Sequence, residues 1–494
     1  MVLGFFFCIG KAAADTDIFH EGNMVTYLYL WIQREAMVGG FRMKAESKRF
    51  YHGLASLVIP ITIQNFITNA VNSADVFMLG YVGQTELSAV SLANQFQFLL
   101  SGVFFGISSG VTMLASQYWG KKDTNSIQAV MGIAIKIAAV ITAVLAIGAV
   151  AAPEALMRIY TNDGELVFIG AGYLRIIGVS YVCMSFSQVY LCALRSMERA
   201  PLSTVISTTA LAMNIILNAV FIFGIGGAPK LGVIGVAIGT VTARIVELLL
   251  CLFDAFRGKV FSIDLRVMFG SHKLLFQDFV KYAVPALIND CTWTVAFSMY
   301  SAIMGRLNAD VVAASSVAST VRNLCTILCF ALGAGATVLL GIEIGEGKME
   351  LAKRDARRSC HVTLAVGILT GLFLLLIRPL VFLFFSLTER AAGYLDTMLL
   401  ISSYYVVGQA MNTLLIAGIF RAGGDSRFGM VCDIIDMWCV SVPLGVLAAF
   451  VLKLPPMAVY FILCLDEFWK IPVVYHHYKS FKWLKDITRE FEGG

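Results

Sequence analysis

Apolar stretches long enough to cross a bilayer recur along the whole chain, and they restrict its fold more than any other feature. The hydrocarbon core of a membrane is about 30 Å thick, which requires roughly 20 residues of helix. We place twelve stretches of this kind at residues 54–80, 87–115, 128–150, 165–191, 202–224, 232–255, 279–304, 311–342, 360–386, 394–419, 429–452 and 456–475. They are too long and continuous for the alternating strands of a lipid-facing barrel. The sequence therefore predicts an all-α polytopic membrane protein with twelve transmembrane helices.

The composition agrees with lipid as the main solvent. Of the 494 residues, 58% are hydrophobic and 14% are charged, whereas soluble domains carry roughly 25% charged residues. The formal net charge is +5, but the basic residues form short clusters between the apolar stretches rather than one basic face or tail. This placement indicates membrane orientation and argues against nucleic-acid binding.

Lys and Arg concentrate in alternate connections between the predicted spans. These clusters lie at residues 42–49, 121–122, 195–199, 257–281, 348–358, 421–427 and 470–489. Basic connections stay on the cytoplasmic side of a membrane. We therefore expect both termini to be cytoplasmic and the chain to lie in the plasma membrane.

The segment before the first apolar stretch, residues 1–42, has two interpretations. Its opening, MVLGFFFCIG, is apolar but lacks a basic region, and the following AAAD is a poor cleavage site, so we do not expect a signal peptide. Met43 opens MKAESKRFYHGL, which is typical of a natural start. Residues 1–42 are then either an upstream extension or a short amphipathic segment on the membrane surface.

An internal repeat organises the chain into two halves. It is found by shifting the sequence by 225 positions, the separation of Pro60 and Pro285. At this shift the matched pairs include Gly80 with Gly305, Ala89 with Ala314, Gly110 with Gly335, Thr112 with Thr337, and Gly120 with Gly345. Each half holds six spans, so both have the same orientation and are related by an axis along the membrane normal.

The repeat predicts two pseudo-symmetric six-helix lobes with a central cavity between them. The expected division is an N lobe at 43–255, a cytoplasmic linker at 256–278, a C lobe at 279–475 and a cytoplasmic tail at 476–494.

Asp75 is the clearest candidate for chemistry inside the membrane. It lies well inside the first span, in NAVNSADVFMLGYVG, with no Lys or Arg within a helical turn. A charge near the bilayer centre costs roughly 2.5 to 3.5 kcal/mol. Such a carboxylate can take up and release a proton, or accept Na⁺ if neutral oxygens complete the shell. The structural alternative is a protonated Asp hydrogen-bonded to a neighbouring helix.

Two amides on the fifth span could supply such oxygens. Asn214 and Asn218 lie four residues apart and hence on one helix face, which could face Asp75. Buried Asn pairs also serve as hydrogen-bonding contacts between membrane helices.

The C lobe offers a second acidic set, which we consider a site for substrate cations or protons. Asp290 lies in PALINDCTWT, and Asp436 lies in VCDIIDMWCVSVP three residues after Asp433. Trp293 and Trp438 could offer aromatic faces to a cationic ligand. The alternative is that Asp433 lies near the cytoplasmic boundary, so that only Asp290 and Asp436 are deep.

The remaining intramembrane charges are interpreted as structural. Arg244 and Glu247 are spaced to pair on one helix face. Arg175 and Arg322 have no local partner, and we expect them to form ion pairs between helices rather than to line the cavity.

Several segments, in this order along the chain, resemble the prokaryotic branch of the multidrug and toxic compound extrusion (MATE) transporters. They are IPITIQNFITNAVNSADVFMLGYVG, QYWGKKD, NIILNAVFIFG, APKLGVIGVAIGTVTAR, FRAGGDSRF and PLGVLAAF. The resemblance covers about residues 50–475. It implies two lobes that alternate between outward and inward openings and export cationic organic compounds in exchange for H⁺ or Na⁺.

The resemblance also bears on the site residues. It places the family's first-span acid at Asp75 and its fifth-span Asn at Asn214. Many members have Asp where this chain has Asn218, and the tenth-span acid of some members is absent here, where Gln409 and Asn412 are nearby. Asp75 is then the principal N-lobe carboxylate, and both H⁺ and Na⁺ stay open as the coupling ion.

Other functions compete with antiport. A flippase for lipid-linked sugars shares the superfamily architecture, but it would need a wide basic cavity, and the acids argue against one. An intramembrane enzyme needs a converging metal or nucleophile set, and the six His lie outside the deep spans. A channel or receptor stays open, although two lobes provide no ring of equivalent pore residues.

The chain has no nucleotide-binding motif, so an ion gradient must supply the energy unless a separate subunit does. We expect small organic cations as substrates, no cofactor other than H⁺ or Na⁺, and a monomer in the bilayer.

Overall fold

A computed structural model describes residues 45–257, 263–384 and 387–490 of the chain. The expectation for residues 1–42 lies outside the described residues. The chain divides into a short unit, Met1–His52, and a large unit, Gly53–Gly494. The first helix begins at Ala45 in the short unit, and the large unit holds both halves of the repeat.

Every regular element in the described ranges is a helix, which confirms the all-α fold. In the first half the helices are α1 (Ala45–Val82), α2 (Gln84–Gly120), α3 (Thr124–Ala151), α4 (Pro153–Met157), α5 (Gly164–Ser196), α6 (Ala200–Phe223) and α7 (Gly232–Arg257). The short helix α8 (Leu265–Phe269) follows in the predicted linker. In the second half they are α9 (Lys273–Gly305), α10 (Ala309–Gly345), α11 (Met349–Phe384), α12 (Glu389–Phe420), α13 (Ser426–Val451), α14 (Pro456–Leu463), α15 (Asp466–Trp469) and α16 (Ile471–Lys479).

Ten of the described helices are long and apolar enough to cross a membrane. Helix α9 is 33 residues long but carries Asp278, Lys281 and Asp290 among its apolar residues. The predicted span 456–475 consists of three short helices rather than one. Pro472 stands in the first turn of α16, where its missing N–H cannot continue the helix before it.

The repeat is visible in the helix boundaries. Helices α2 and α10 each have 37 residues and begin 225 positions apart. Helices α1 and α9 each contain an internal proline, Pro60 and Pro285. Buried side chains of α2, α3 and α5 form the N-lobe core, and those of α10, α12 and α14 contribute to a separate core in the C lobe.

The end of α2 contacts the C lobe and the segment after α16. The Gln117 side-chain amide donates hydrogen bonds to the carbonyl oxygens of Ala422 (2.7 Å) and Lys485 (3.1 Å). Its oxygen accepts the Ile487 N–H at 2.9 Å. Residues 480–490 therefore connect the two lobes. The contact lies within two helical turns of Lys121 and Lys122, at the end of α2 that carries a predicted cytoplasmic basic cluster.

Candidate ion-coupling and substrate sites

The N-lobe site joins Asp75 of α1 to the two amides of α6. Asn218 Nδ2 donates a hydrogen bond to Asp75 Oδ1 at 2.9 Å. The same nitrogen lies 3.4 Å from Asn214 Oδ1, as expected for side chains one turn apart. Asn214 Nδ2 in turn donates to Thr240 Oγ1 of α7 at 3.1 Å. The structure thus brings three helices together around one carboxylate.

Asp75 keeps its charge uncompensated by any basic side chain in the described part of the chain. No Lys, Arg or His nitrogen of those residues lies within 4 Å of its carboxylate. Its side chain is half-buried, whereas Asn214 and Asn218 are buried. A carboxylate next to neutral amides can bind a proton or a monovalent cation, and either would neutralise it.

A residue outside the predicted set shapes this site. Asn218 Oδ1 is buried and has no hydrogen-bond partner among the described residues. It lies against Gly239 of α7, where a Cβ atom would collide with it. A side chain at 239 would therefore displace the amide that α6 and α7 hold beside Asp75. No local sequence pattern distinguishes this glycine from those of ordinary helix packing.

In the C lobe, Asp290 of α9 is ion-paired with Arg421, which follows α12. Arg421 Nη2 lies 2.6 Å from Asp290 Oδ1, and Nη1 lies 3.3 Å from Oδ2. The same guanidinium donates to Asn289 Oδ1 at 2.9 Å and to Ser109 Oγ of the N lobe at 2.7 Å. Asn289 Nδ2 donates to Asp433 Oδ2 of α13 at 2.6 Å. Asp290 is thus a partner in a network that also contacts the other lobe.

The N lobe contains the equivalent of this network without its acids. Arg195 Nη1 lies 3.5 Å from Gln64 Oε1, and Gln64 Nε2 donates to Ser207 Oγ at 2.9 Å. Gln64 precedes Asn289 by 225 positions, and Arg195 precedes Arg421 by 226. Ser207 stands where the C lobe has Asp433, so the repeat keeps the contacts while the C lobe carries additional charge.

Asp436 lies in a buried cluster around Lys470, which stands between α15 and α16. Lys470 Nζ is 3.1 Å from Asp433 Oδ1, 3.2 Å from Glu467 Oε2 and 3.8 Å from Asp436 Oδ2. Neither oxygen of Asp436 is within hydrogen-bonding distance of a partner in the described ranges, although the residue is only 6% exposed. Three acids therefore share one ammonium group in the interior of the C lobe.

The two tryptophans do not form one aromatic pair. Trp293 packs on Phe297 of its own helix, with ring centroids 4.3 Å apart. Trp438 lies on the surface of α13 and is 36% exposed.

The other intramembrane charges differ in outcome. Arg244 pairs with Glu247 at 2.8 Å, which confirms the prediction from their spacing. The ion pair expected for Arg322 is not formed with any described residue, and its guanidinium lies between the rings of Phe297 and Tyr405 instead. That part of the prediction was wrong because aromatic faces, rather than a carboxylate, surround the arginine.

A family comparison matches both halves of the chain. The protein-family model MatE matches residues 60–220 and 285–447, two segments that begin at Pro60 and Pro285. The chain belongs to the MatE family. The resemblance found in the sequence is therefore confirmed, and the chain is a multi-pass membrane transporter rather than an enzyme.

Individual relatives agree with this assignment. The chain is 23% identical over 441 residues to the uncharacterized transporter YisQ of Bacillus subtilis, covering 87% of this chain and 95% of YisQ. It is 24% identical over 458 residues to the probable multidrug resistance protein YoeA of the same organism, covering 90% and 97%. It also superposes with a TM-score of 0.79 on the outward-facing conformation of a multidrug resistance MATE family transporter of the MOP superfamily, at 19% identity over 87% of this chain and 95% of the other.

Proposed function

We propose that this MatE-family transporter exports small organic compounds, cationic ones among them, in exchange for H⁺ or Na⁺ taken up at Asp75. The observation that supports this most directly is the Asp75 carboxylate, which is hydrogen-bonded by Asn218 at 2.9 Å and has no ion pair with any described residue. The name of the relative YoeA, a probable multidrug resistance protein, supports export of small molecules.

The mechanism follows from the charge of this site. Protonation makes the carboxylate neutral, and bound Na⁺ compensates its charge, so either ion lowers the cost of enclosing the site between helices. A conformational equilibrium shifts only if the ion binds one state better than the other. The contacts from Asp75 through α6 to α7 provide this difference in ion affinity between the two states. A change in charge at the carboxylate alters the packing of all three helices, α1, α6 and α7.

The C-lobe acids have a different place in the proposal. Asp290 is already neutralised by Arg421, so it acts in the contact between lobes. Asp436 stays a proposed group for a substrate cation, with Trp293 and Trp438 as proposed aromatic contacts, because its carboxylate is buried without a hydrogen bond among the described residues. The proposed arrangement in the cell is a monomer in the plasma membrane. Both termini are proposed to be cytoplasmic, because the distribution of Lys and Arg predicts that orientation.

The test is efflux from proteoliposomes in which pH and Na⁺ gradients are imposed separately, with ethidium as the organic cation. The Asp75→Asn variant keeps the size of the side chain but cannot change charge, and we expect it to lose efflux driven by either gradient. Glu154→Gln, an exposed acid of the same lobe, is the matched control and should retain efflux. Ion-driven efflux by Asp75→Asn at the wild-type rate would refute the role of Asp75.

A further inference from the structure

A half-open cavity of about 150 Å³ lies in the C lobe, between α9, α10, α12 and α14. Arg322 of α10 lines it. The guanidinium carbon is 5.1 Å from the ring centre of Tyr405 and 5.6 Å from that of Phe297. These are distances of cation–π contacts, so the two rings hold the planar group in one place.

The arginine has no anionic partner in the described part of the chain. No carboxylate oxygen there lies within 4 Å of it, and its buried Nε has no hydrogen-bond partner. None of the residues that line the cavity is Asp or Glu. Asp466, which does not line the cavity, accepts hydrogen bonds from the Tyr300 hydroxyl at 3.2 Å and from the Glu467 N–H at 2.8 Å.

A second donor, on a residue that lines the cavity, also lacks a partner among the described residues. The side chain of Tyr405 is 1% exposed, and its hydroxyl has no hydrogen-bond partner among the described residues. Buried polar groups in folded proteins are nearly always hydrogen-bonded. Within the described residues, Arg322 and Tyr405 thus offer a positive fork and a phenolic O–H that lack acceptors, and both residues line a cavity without acids. This arrangement is complementary to an anion.

We propose that this cavity binds a small organic carboxylate, held by Arg322 and the Tyr405 hydroxyl. Arginine recognises carboxylates through two parallel hydrogen bonds, and the phenol can add a third. The rest of the lining combines apolar side chains, including Met304 and Leu463, which suit a hydrocarbon group, with four serines, Ser301, Ser315, Ser316 and Ser319. A space of about 150 Å³ accommodates one benzene ring, so an aromatic monocarboxylate such as benzoate fits it.

This site lies in the C lobe and does not rest on ion coupling at Asp75. It would extend the compounds that the chain binds to monocarboxylates and to zwitterions that carry one.

The test is ¹⁹F NMR titration of the purified full-length protein with 4-fluorobenzoate, and with 4-fluorobenzamide as the uncharged compound of equal size. We expect saturable binding of the benzoate and about tenfold or more weaker binding of the benzamide, because a charge-assisted pair is lost. Arg322→Gln should abolish benzoate binding. Glu154→Gln, at an exposed acid of the N lobe, should leave it unchanged.

A milder variant keeps the test decisive if Arg322→Gln does not fold. Tyr405→Phe removes only a hydroxyl without a partner in the described ranges, and we expect benzoate affinity to fall by about three- to tenfold. Its control is Tyr404→Phe, since the Tyr404 hydroxyl is likewise buried without a partner among those residues but Tyr404 does not line the cavity. Equal affinities for benzoate and benzamide, no saturable benzoate binding, or equal effects of the two tyrosine variants would each overturn the proposal.

Discussion

Gly120 at the end of α2 packs directly against Gly345 at the end of α10. A Cβ atom on Gly120 would lie 3.1 Å from the Gly345 carbonyl carbon and would collide with the Ile342 carbonyl oxygen. A Cβ on Gly345 would collide with the Gln117 carbonyl oxygen. The two contacts are exchanged by the repeat, since Gln117 and Ile342 are also 225 positions apart. At these two glycines the lobes therefore meet backbone to backbone.

Substitution of Gly120 by Ala should impair transport by holding the lobes apart at this end. Alternating access requires that the two lobes close and reopen against each other, and a methyl group directed at backbone atoms cannot be relieved by side-chain rotation. We expect efflux of ethidium from proteoliposomes to fall several-fold. Gly305→Ala is the control, since nothing lies within 4 Å of its Cβ position. Equal rates for the two variants would contradict this account.

Replacement of Lys470 by Met should destabilise the C lobe strongly. It leaves Asp433, Asp436 and Glu467 without their shared ammonium group, and removal of one partner from a buried ionic cluster costs about 3–5 kcal/mol. Thermal unfolding in detergent should show a large decrease in Tm. The exposed Lys482→Met is the matched control. Addition of Asp433→Asn to Lys470→Met should recover part of the loss, and no recovery would argue against charge as the cause.

Lys470 also shows where sequence reasoning reached its limit. Apolar length and the 225-residue shift predicted the helices and both lobes, because lipid demands continuous apolar helices. The geometry around Asp75 followed from helical spacing, which placed Asn214 and Asn218 on one face. The sequence predicts Lys470 to be a cytoplasmic basic residue, whereas in the structure it lies buried between α15 and α16. The helix break that places it there depends on tertiary packing. For Arg322 the sequence predicts an ion pair, and no local pattern indicates the rings of Phe297 in α9 and Tyr405 in α12 that contact it instead.

Neutralising Asp278 should release the segment after α16 from the N-terminal end of α9. Arg489 Nη2 and Nε lie 3.0 and 2.5 Å from the two oxygens of Asp278, and the neighbouring Ile487 N–H is bonded to Gln117. In Asp278→Asn we expect faster hydrogen exchange at the Ile487 amide. Glu490→Gln, a change at the adjacent charge, should leave that exchange rate unaltered. Slow exchange in both proteins would show that Gln117 alone holds the segment.

The same segment should stay docked on mild acidification. Burial by itself would raise the pKa of Asp486, but Lys121 at 2.8 Å and the Thr488 hydroxyl and N–H hold it below the ordinary value of an aspartate. Stability from a carboxylate with a lowered pKa is present above the unfolded pKa, about 3.9, and is lost as the pH falls through the folded value. Exchange at Ile487, corrected for its intrinsic pH dependence, should be equal at pH 7 and pH 5. Acceleration by pH 5 would show that another group controls docking.

Gly239→Ala tests the coupling site without changing any polar group. The added methyl group would collide with Asn218 Oδ1, so the amide must turn away from Asp75 and the 2.9 Å hydrogen bond must lengthen or break. Because the carboxylate then loses the partner that orients it, we expect the concentration of coupling ion needed for half-maximal efflux to change several-fold. Gly172→Ala, at a helical position of the same lobe with nothing within 4 Å, should leave it unchanged. A lower maximal rate with unchanged ion dependence would mean that Gly239 serves only the packing of α6 on α7, and that Asn218 has no part in ion binding.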